Sequence, residues 1–374
     1  MKRLVLAGGG HAHVEVLRRF RLVPHAGIAI VLVSPHPETP YSGMLPGLVA
    51  GFYRRDETHI DLASLAAFSS CTFRQTRVVA IDAPGFSLLL EDGARLHYDV
   101  LSLDIGSTPA TGGIPGAREH AIGVKPVDAF MARLEALIER AREGGLRRIA
   151  VVGGGAAGIE MLLAMRHRLL AETHGANIAF DLVTDVPDLL PSHGSQARAL
   201  FARVLAEAGV RVHLSSRAER VESGRLRCAG GRDIETDVVV WAIGAGAPAV
   251  VQNSDLARDG GGFVAVSETL QSTSHPNVFA AGDVAGMVGH PRPKSGVYAV
   301  RQGPPLAANL RAALVGGPMR HYVPQRGALA LITTGDRRAV ATRGDWALEG
   351  GWVWRWKDWI DRRFMARYRV AAMA

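Results

Sequence analysis

Short apolar runs that end in glycine, each followed by helix-spaced residues, set the rhythm of this chain. Leu4-Val5-Leu6-Ala7 leads into Gly8-Gly9-Gly10-His11-Ala12-His13, and Ile149-Ala150-Val151-Val152 leads into Gly153-Gly154-Gly155-Ala156-Ala157-Gly158. Apolar runs of this length that lead into glycines predict strands ending in tight strand-to-helix turns. The first unit therefore reads as a strand over 3–7, a turn over 8–13, a helix over about 13–20 and a strand over 28–33. The second repeats the scheme with a turn over 153–158, a helix carrying Glu160, and a strand over 179–183 that ends at Thr184-Asp185.

Between and beyond these units the pattern changes. Residues 77–81, 87–91 and 95–99, with Glu91-Asp92-Gly93 as a turn, predict a meander. Residues 99–109 run from a buried strand into a turn at Gly106, and 238–245 mirror them with Gly244. Helical spacing marks 128–143, stopped by Gly144-Gly145, and 199–208. Further strands are expected near 210–214 and 225–228. Residues 276–283 predict a buried strand ending in Gly282-Asp283 at a helix N-terminus, and 295–309 a helix interrupted by Pro304-Pro305. Residues 40–47 hold too many breakers for helix or strand, and read as a loop whose Tyr41, Met44 and Leu45 favour burial. A hairpin over 329–333 and 339–342 and a final helix close the chain. The expected fold is α/β: two dinucleotide-binding domains, the second inserted in the first, plus a small C-terminal hairpin and helix. Their limits are 1–112 and 251–325 for the first domain, 113–250 for the second and 326–374 for the C-terminal part.

Glycine at the first and third positions of such a turn lets backbone N–H groups approach a pyrophosphate at a helix N-terminus. Two such turns predict two dinucleotides brought together, as when a flavin is placed beside a nicotinamide. Ser34 follows the first unit's second strand, where an acid usually takes the ribose hydroxyls. Asp185 ends the equivalent strand of the second unit with no arginine beside it, which favours NADH over NADPH. An aspartate placed like Asp283 can accept hydrogen bonds from ribitol hydroxyls. His11-x-His13-x-Glu15 is a poor metal motif, because residues two apart do not share a helix face. A histidine there that donates to the pyrophosphate or lines the flavin is the better reading, and no metal site is expected.

Composition narrows the class. The chain has 374 residues, 48% of them hydrophobic, and a formal charge of +8. Of its basic residues only Lys2, Lys125, Lys294 and Lys357 are lysines. No helix-turn-helix, zinc-finger or aromatic RNA-reading motif accompanies the charge, so no nucleic-acid partner is expected. Two cysteines, Cys71 and Cys228, point to a reducing compartment; both are expected in meander-like strands as buried structural thiols. No signal peptide and no apolar stretch of about 20 residues is present, so a cytoplasmic location is expected. Trp352, Trp356, Trp359, Ile360 and Phe364 fall on one face of the final helix among basic residues, a pattern suited either to a membrane interface over 352–369 or to core packing or a dimer contact.

In chain order, Gly8/Gly10, Gly106-Ser107, Gly153/Gly155/Gly158, Gly244 and Gly282-Asp283 resemble the two-dinucleotide flavoproteins of the pyridine nucleotide–disulfide oxidoreductase superfamily, built on two Rossmann-like domains. Within it the chain looks most like the type II NADH dehydrogenase and sulfide:quinone reductase branch. Residues 8–15, 41–47 and 294–305 also look like the flavoprotein module found fused or adjacent to selenophosphate synthetase in some bacteria. The resemblance implies FAD in the first domain, with Gly8, Gly10 and Ser34 on its adenosine side and the Val78 backbone on the adenine. Gly106 and Gly282 would line it, and Asp283 would hold the ribitol. It implies NAD(P)H over Gly153, Gly155 and Gly158, with Glu160 close to both reacting rings. His13 departs from the pattern by replacing the third glycine, and the redox cysteine pair of disulfide reductases is absent. Residues 299–303 reproduce the branch's quinone-site signature only loosely.

The reaction expected is hydride transfer from NAD(P)H through flavin to a quinone-like acceptor, with Glu160 and Lys294 tuning charge. Lys294 would act as a cation near the flavin pyrimidine ring. The alternatives are oxidation of a reduced sulfur or selenium species, and a flavin-holding accessory role beside selenophosphate synthetase. Peripheral contact with the inner face of the plasma membrane belongs to the same expectation.

Overall fold

The computed structural model describes residues 1–24, 26–109, 113–175, 177–325 and 327–370. Two five-stranded parallel sheets form its two halves. The first has the order Val278–Ala280, Val100–Leu103, Lys2–Ala7, Ile28–Ser34, Thr72–Gln75. The second has the order Ala121–Gly123, Val238–Trp241, Arg148–Val152, Ala179–Val183, Arg211–His213. Leu4 to Ala7 are fully buried because their strand is central in its sheet.

From Lys2–Ala7 the chain steps outward to Ile28–Ser34, then returns on the other side as Val100–Leu103. Where neighbouring connections leave in opposite directions, the carboxyl ends of the strands open a crevice. Both glycine turns lie at such a point, the first between Lys2–Ala7 and Val100–Leu103, the second between Arg148–Val152 and Val238–Trp241. Thr108–Pro109 pairs with Ala245–Gly246 and joins the two halves just beyond Gly106 and Gly244. The domain limit expected at 112–113 touches residues 110–112, outside the described residues.

Each half also carries an antiparallel meander. Val78–Asp82, Ser87–Leu90 and Arg95–His97 form the expected one. Ala218–Glu222, Arg225–Cys228 and Arg232–Glu235 form a second, of which only the middle strand was legible. Its flanking strands are rich in charge and bury few side chains, so their alternation is faint.

Several expectations need correction. Residues 40–47 are not irregular: Ser42–Met44 makes a tight turn and Leu45–Val49 a short helix. Pro46 is tolerated because the first turn of a helix leaves its N–H groups unbonded anyway. Pro304-Pro305 does not interrupt its helix, which is continuous over Gly296–Val315. Burial of Leu306, Leu310 and Leu314, about 1.5–3 kcal/mol for each, offsets the hydrogen bonds the prolines cannot make. This helix lies so close to His11–Leu22 that a Cβ on Gly303 would stand 2.7 Å from that of Glu15. Gly282-Asp283 opens only the single turn Gly282–Val284, and the long helix begins later, at Gly296.

The C-terminal hairpin is a three-stranded sheet, Ala330–Thr333, Ala339–Arg343 and Trp346–Gly350. Cys71 does not lie in a meander; it precedes Thr72–Gln75, the edge strand of the first parallel sheet, whereas Cys228 does end a meander strand. The final helix, Gly351–Ala366, splits the aromatic face that spacing had joined. Phe364 turns inward with Val353, Lys357, Asp361 and Met365, while Trp352, Trp356 and Trp359 remain 48%, 36% and 57% exposed.

Candidate functional site

The first turn is built on backbone contacts that exclude side chains. Gly8 has φ +98°, its N–H donates to the Val33 carbonyl at 2.8 Å, and a Cβ there would stand 2.3 Å from the Asp104 carbonyl oxygen. Asp104 follows Val100–Leu103, accepts the Gly10 N–H on its own carbonyl at 3.1 Å, and is 3% exposed. Its Oδ2 accepts the N–H groups of Ala12 at 2.9 Å and His13 at 3.1 Å, capping helix His11–Leu22 from a neighbouring strand. Burial pushes the Asp104 carboxyl up to about 7, although the His13 and Ala12 N–H bonds pull it down.

His13 does not face a pyrophosphate. Its imidazole is fully buried, with Nδ1 2.7 Å from the Gly8 carbonyl oxygen and Nε2 2.8 Å from Ser102 Oγ. Burial pushes its pKa down to about 4, so the ring is neutral, with Nδ1–H donating to the carbonyl. Ser34 donates its hydroxyl to the His36 carbonyl at 3.0 Å and pairs with Gln75, just before Val78 opens the meander.

The second turn repeats this backbone without those side chains. Gly153 N–H donates to the Val183 carbonyl at 2.8 Å, as Gly8 does to Val33. Ala242 N–H donates to Val152, as Asp104 does to Ala7, so Ala242 stands in the place of Asp104. Gly158 stands in the place of His13, and a Cβ there would lie 2.0 Å from the Gly153 carbonyl oxygen. By the same alignment buried Thr184 matches Ser34, and Asp185 stands one residue further on, exposed.

Elements from both halves and the C-terminal layer converge beside these turns. Glu160 is half-buried, and its Oε1 accepts the Thr333 N–H at 2.7 Å and the Thr333 hydroxyl at 3.0 Å. Burial pushes its pKa up, against the pull of the Lys357 charge and the Thr333 donors. Lys357 Nζ donates to the Gly43 carbonyl and, at 2.6 Å, to Asp361. The Tyr41 ring stacks on Phe364 at 4.3 Å and meets the His11 ring edge-on at 5.4 Å. Lys125, on the second-domain side, reaches across to Asp283 at 2.9 Å and Ser107 at 3.5 Å. His11 Nε2 is buried without a hydrogen-bond partner among the described residues, and burial pushes that ring's pKa down to about 4.

The structure sets Lys294 under the negative charge of Asp259 and Asp283. Its Nζ donates to the Ala285 carbonyl and lies 3.7 Å above the Phe263 ring, beside a cavity of about 410 Å³ lined also by Gly282, Asp283 and Tyr298. Gln302, in the loosely matched 299–303 segment, accepts the Gly282 N–H at 2.7 Å and steadies that turn. Asp104, Lys125 and Lys357 escaped the sequence reading. The mirrored segments around Gly106 and Gly244 carried a signal for Asp104, since one holds Asp where the other holds Ala. For Lys357 the signal was an Asp four residues on in a helix. Cys71 and Cys228 are buried in different halves, and burial pushes their thiols up to about 12 and about 11, so neither is a thiolate near neutral pH.

Comparison with known proteins gives this geometry its context. A family model described as pyridine nucleotide-disulphide oxidoreductase matches residues 2–303. Ferroptosis suppressor protein 1 of Taeniopygia guttata is 30% identical over 283 residues, 71% of this chain and 69% of that protein. Demethylphylloquinone reductase NdbB of Synechocystis is 25% identical over 349 residues, 89% of this chain and 85% of that protein. The sulfide:quinone oxidoreductase structure from Aquifex aeolicus superposes with TM-score 0.83 at 18% identity, covering 99% of this chain and 92% of that one, and shares the fold.

Proposed function

The chain belongs to the pyridine nucleotide-disulphide oxidoreductase family, and from that premise we propose that it passes reducing equivalents from NAD(P)H, NADH favoured, through FAD to a quinone-like acceptor. The observation that carries this reading is the pair of glycine turns at two switch points, bridged across the cleft by Lys125 and Asp283. The residues fit the cofactors. Gly8 and Gly10 leave the first turn free of side chains, Asp283 offers carboxylate oxygens to ribitol, and exposed Asp185 offers them to a ribose.

FAD, when bound, supplies the two-electron chemistry. The chain's own residues orient, exclude water and handle charge. Gly153, Gly155 and Gly158 admit the nicotinamide dinucleotide at their turn, and holding it in one geometry supplies much of the rate. Glu160, half-buried against Thr333 of the C-terminal sheet, holds or releases a proton at its Oε atoms while the Lys357 charge acts on it. Lys125 and Lys294 place positive charge around Asp283. A quinone takes up two protons with its two electrons, and Glu160, half-buried and with its pKa pushed up, is the acid this reading assigns to serve it.

The acceptor side of this reading is a lipid surface. Trp352, Trp356 and Trp359, interleaved with exposed Arg355 and Arg363, suit an anionic interface. Among the described residues no helix is long and apolar enough to cross a membrane; the contact proposed is with the membrane surface. Flotation with anionic vesicles tests it. Trp352→Ser, Trp356→Ser and Trp359→Ser together should abolish binding, and retention by selenophosphate synthetase instead would assign this face to that partner. Anaerobic rapid mixing tests the reaction: NADH should bleach the flavin and a soluble quinone restore it. Flavin that stays oxidised with excess NADH and NADPH rejects the proposal.

A further inference from the structure

FAD bound as proposed brings a pyrophosphate to the first turn, and the protonation inferred here rests on that reading. A helix N-terminus offers free N–H groups and partial positive charge over its first turn only. In helix His11–Leu22 two of those groups, on Ala12 and His13, are already held by Asp104 Oδ2. The carboxyl is confined by backbone: a Cβ on Gly10 would stand 2.2 Å from Asp104 Cγ, and one on Gly282 2.4 Å from Oδ1. An ionised side chain here would have to share the helix N-terminus with a second anion.

We propose that Asp104 takes up a proton when FAD binds, so that a buried carboxylic acid, not a carboxylate, lies beneath the pyrophosphate. The second turn has no such linkage, because Ala242 stands at that position. Both N–H bonds fall on Oδ2 and Oδ1 is turned toward Gly282, so a proton on Oδ1 leaves the helix cap intact. The surroundings favour it. His11 and His13 on the capped helix are neutral through burial. Asp283 on the neighbouring turn adds negative charge, and Lys125 is already paired with it. Gln302 on the long helix is uncharged. Like charges brought to one site push a carboxyl toward its protonated form.

Linkage sets the sign. The ligand-free carboxyl is pushed up to about 7. Below that pH it is already protonated and FAD affinity is flat; above it, binding must draw a proton from solvent, and affinity falls by up to about tenfold per pH unit.

The test uses the full chain stripped of flavin. FAD is titrated from about pH 6 to about pH 9 by fluorescence quenching, and by calorimetry in two buffers of different ionisation enthalpy. The wild type should lose up to about tenfold in affinity per unit above neutrality and take up about one proton near pH 8. Asp104→Asn should bind with unchanged affinity across the range. Where that variant fails to fold, the wild-type proton count decides alone. A flat wild-type affinity without proton uptake, or an equal slope in Asp104→Asn, overturns the proposal while leaving FAD binding intact. A chain that takes up no FAD at any pH overturns it together with the reading beneath it.

Discussion

At the end of Lys2–Ala7 the glycine turn has His13 as its third member and Asp104 on the strand alongside; at the end of Arg148–Val152 the same two places hold Gly158 and Ala242. In the second turn the helix comes to contact with the Gly153 carbonyl, and nothing fits between them. In the first, the equivalent Gly8 carbonyl accepts a hydrogen bond from the His13 ring, and the Asp104 carboxyl caps the helix. The same backbone plan is thus held once by close packing and once by a buried polar network. A network of this kind stabilises only when every member is satisfied, which couples His13, Ser102 and Asp104.

The helices diverge in the same way. Glu15 and Glu160 stand at equal offsets from Gly8 and Gly153. Burial alone would raise Glu15, but hydrogen bonds from Arg18 and Arg19, the Arg18 charge and the Tyr368 hydroxyl outweigh it and bring its pKa down. Glu160 has no arginine ion pair among the described residues, and burial raises it. One position in the repeat is an anchor; its twin is a candidate acid.

The largest expected effects come from closing either turn. Gly8→Ala forces a side chain into φ +98° and into the Asp104 backbone, so it should abolish FAD uptake and cost about 3 kcal/mol or more. Gly158→Ala should leave the flavin bound yet raise the KM for NADH by at least about tenfold, a 1.4 kcal/mol loss of binding. Flavin content on purification and NADH titration separate the two, and loss of flavin from Gly158→Ala would show that the turns are not independent.

Giving the first turn the second's residue comes next. His13→Gly strands the Gly8 carbonyl and the Ser102 hydroxyl and leaves a cavity, which should cost about 2–4 kcal/mol in urea unfolding. An unchanged midpoint would mean that the imidazole is dispensable.

The glutamate twins should respond oppositely. Glu160→Gln should lower turnover about tenfold to a hundredfold and remove an acid-dependent limb of the pH profile. Glu15→Gln should spare turnover and cost about 1–3 kcal/mol of stability. Glu15, with its folded pKa depressed, contributes stability above the unfolded carboxylate value that is lost as pH falls through the folded one. Glu160, with its folded pKa raised, contributes stability at low pH that is lost as pH rises through the folded value. Urea midpoints on both sides of that range check the reversal.

The smallest effects belong to the strand ends. Asp185→Ala should weaken NADH about three- to tenfold, through loss of about one hydrogen bond at an exposed site. Ser34→Ala should change FAD affinity by less than about threefold, because its hydroxyl already donates to His36.

The two strand–turn–helix units, both turns and the order of the five glycine elements were legible from residues alone. Each rests on a local rule: an apolar run long enough for a buried strand, then glycine where a side chain would strike backbone. Lys294 was singled out for its rarity and its place just after Gly282-Asp283, but neither reveals contacts: that its Nζ donates to the Ala285 carbonyl and stands over the Phe263 ring was not legible. The Trp face of the last helix was legible as a stripe; which part of it would be covered was not, because that depends on Gly43 and Tyr41 arriving from the other end of the chain.

Local order along the chain therefore carried the architecture and the class of cofactor. Folding in three dimensions chose the partners: Asp104 with Ala12 across 92 residues, Lys125 with Asp283 across 158, Glu160 with Thr333 across 173. Such meetings leave no periodic trace. Their energy comes from desolvation and hydrogen-bond geometry that exist only once distant segments have been brought together, and those same terms set which buried group keeps its proton.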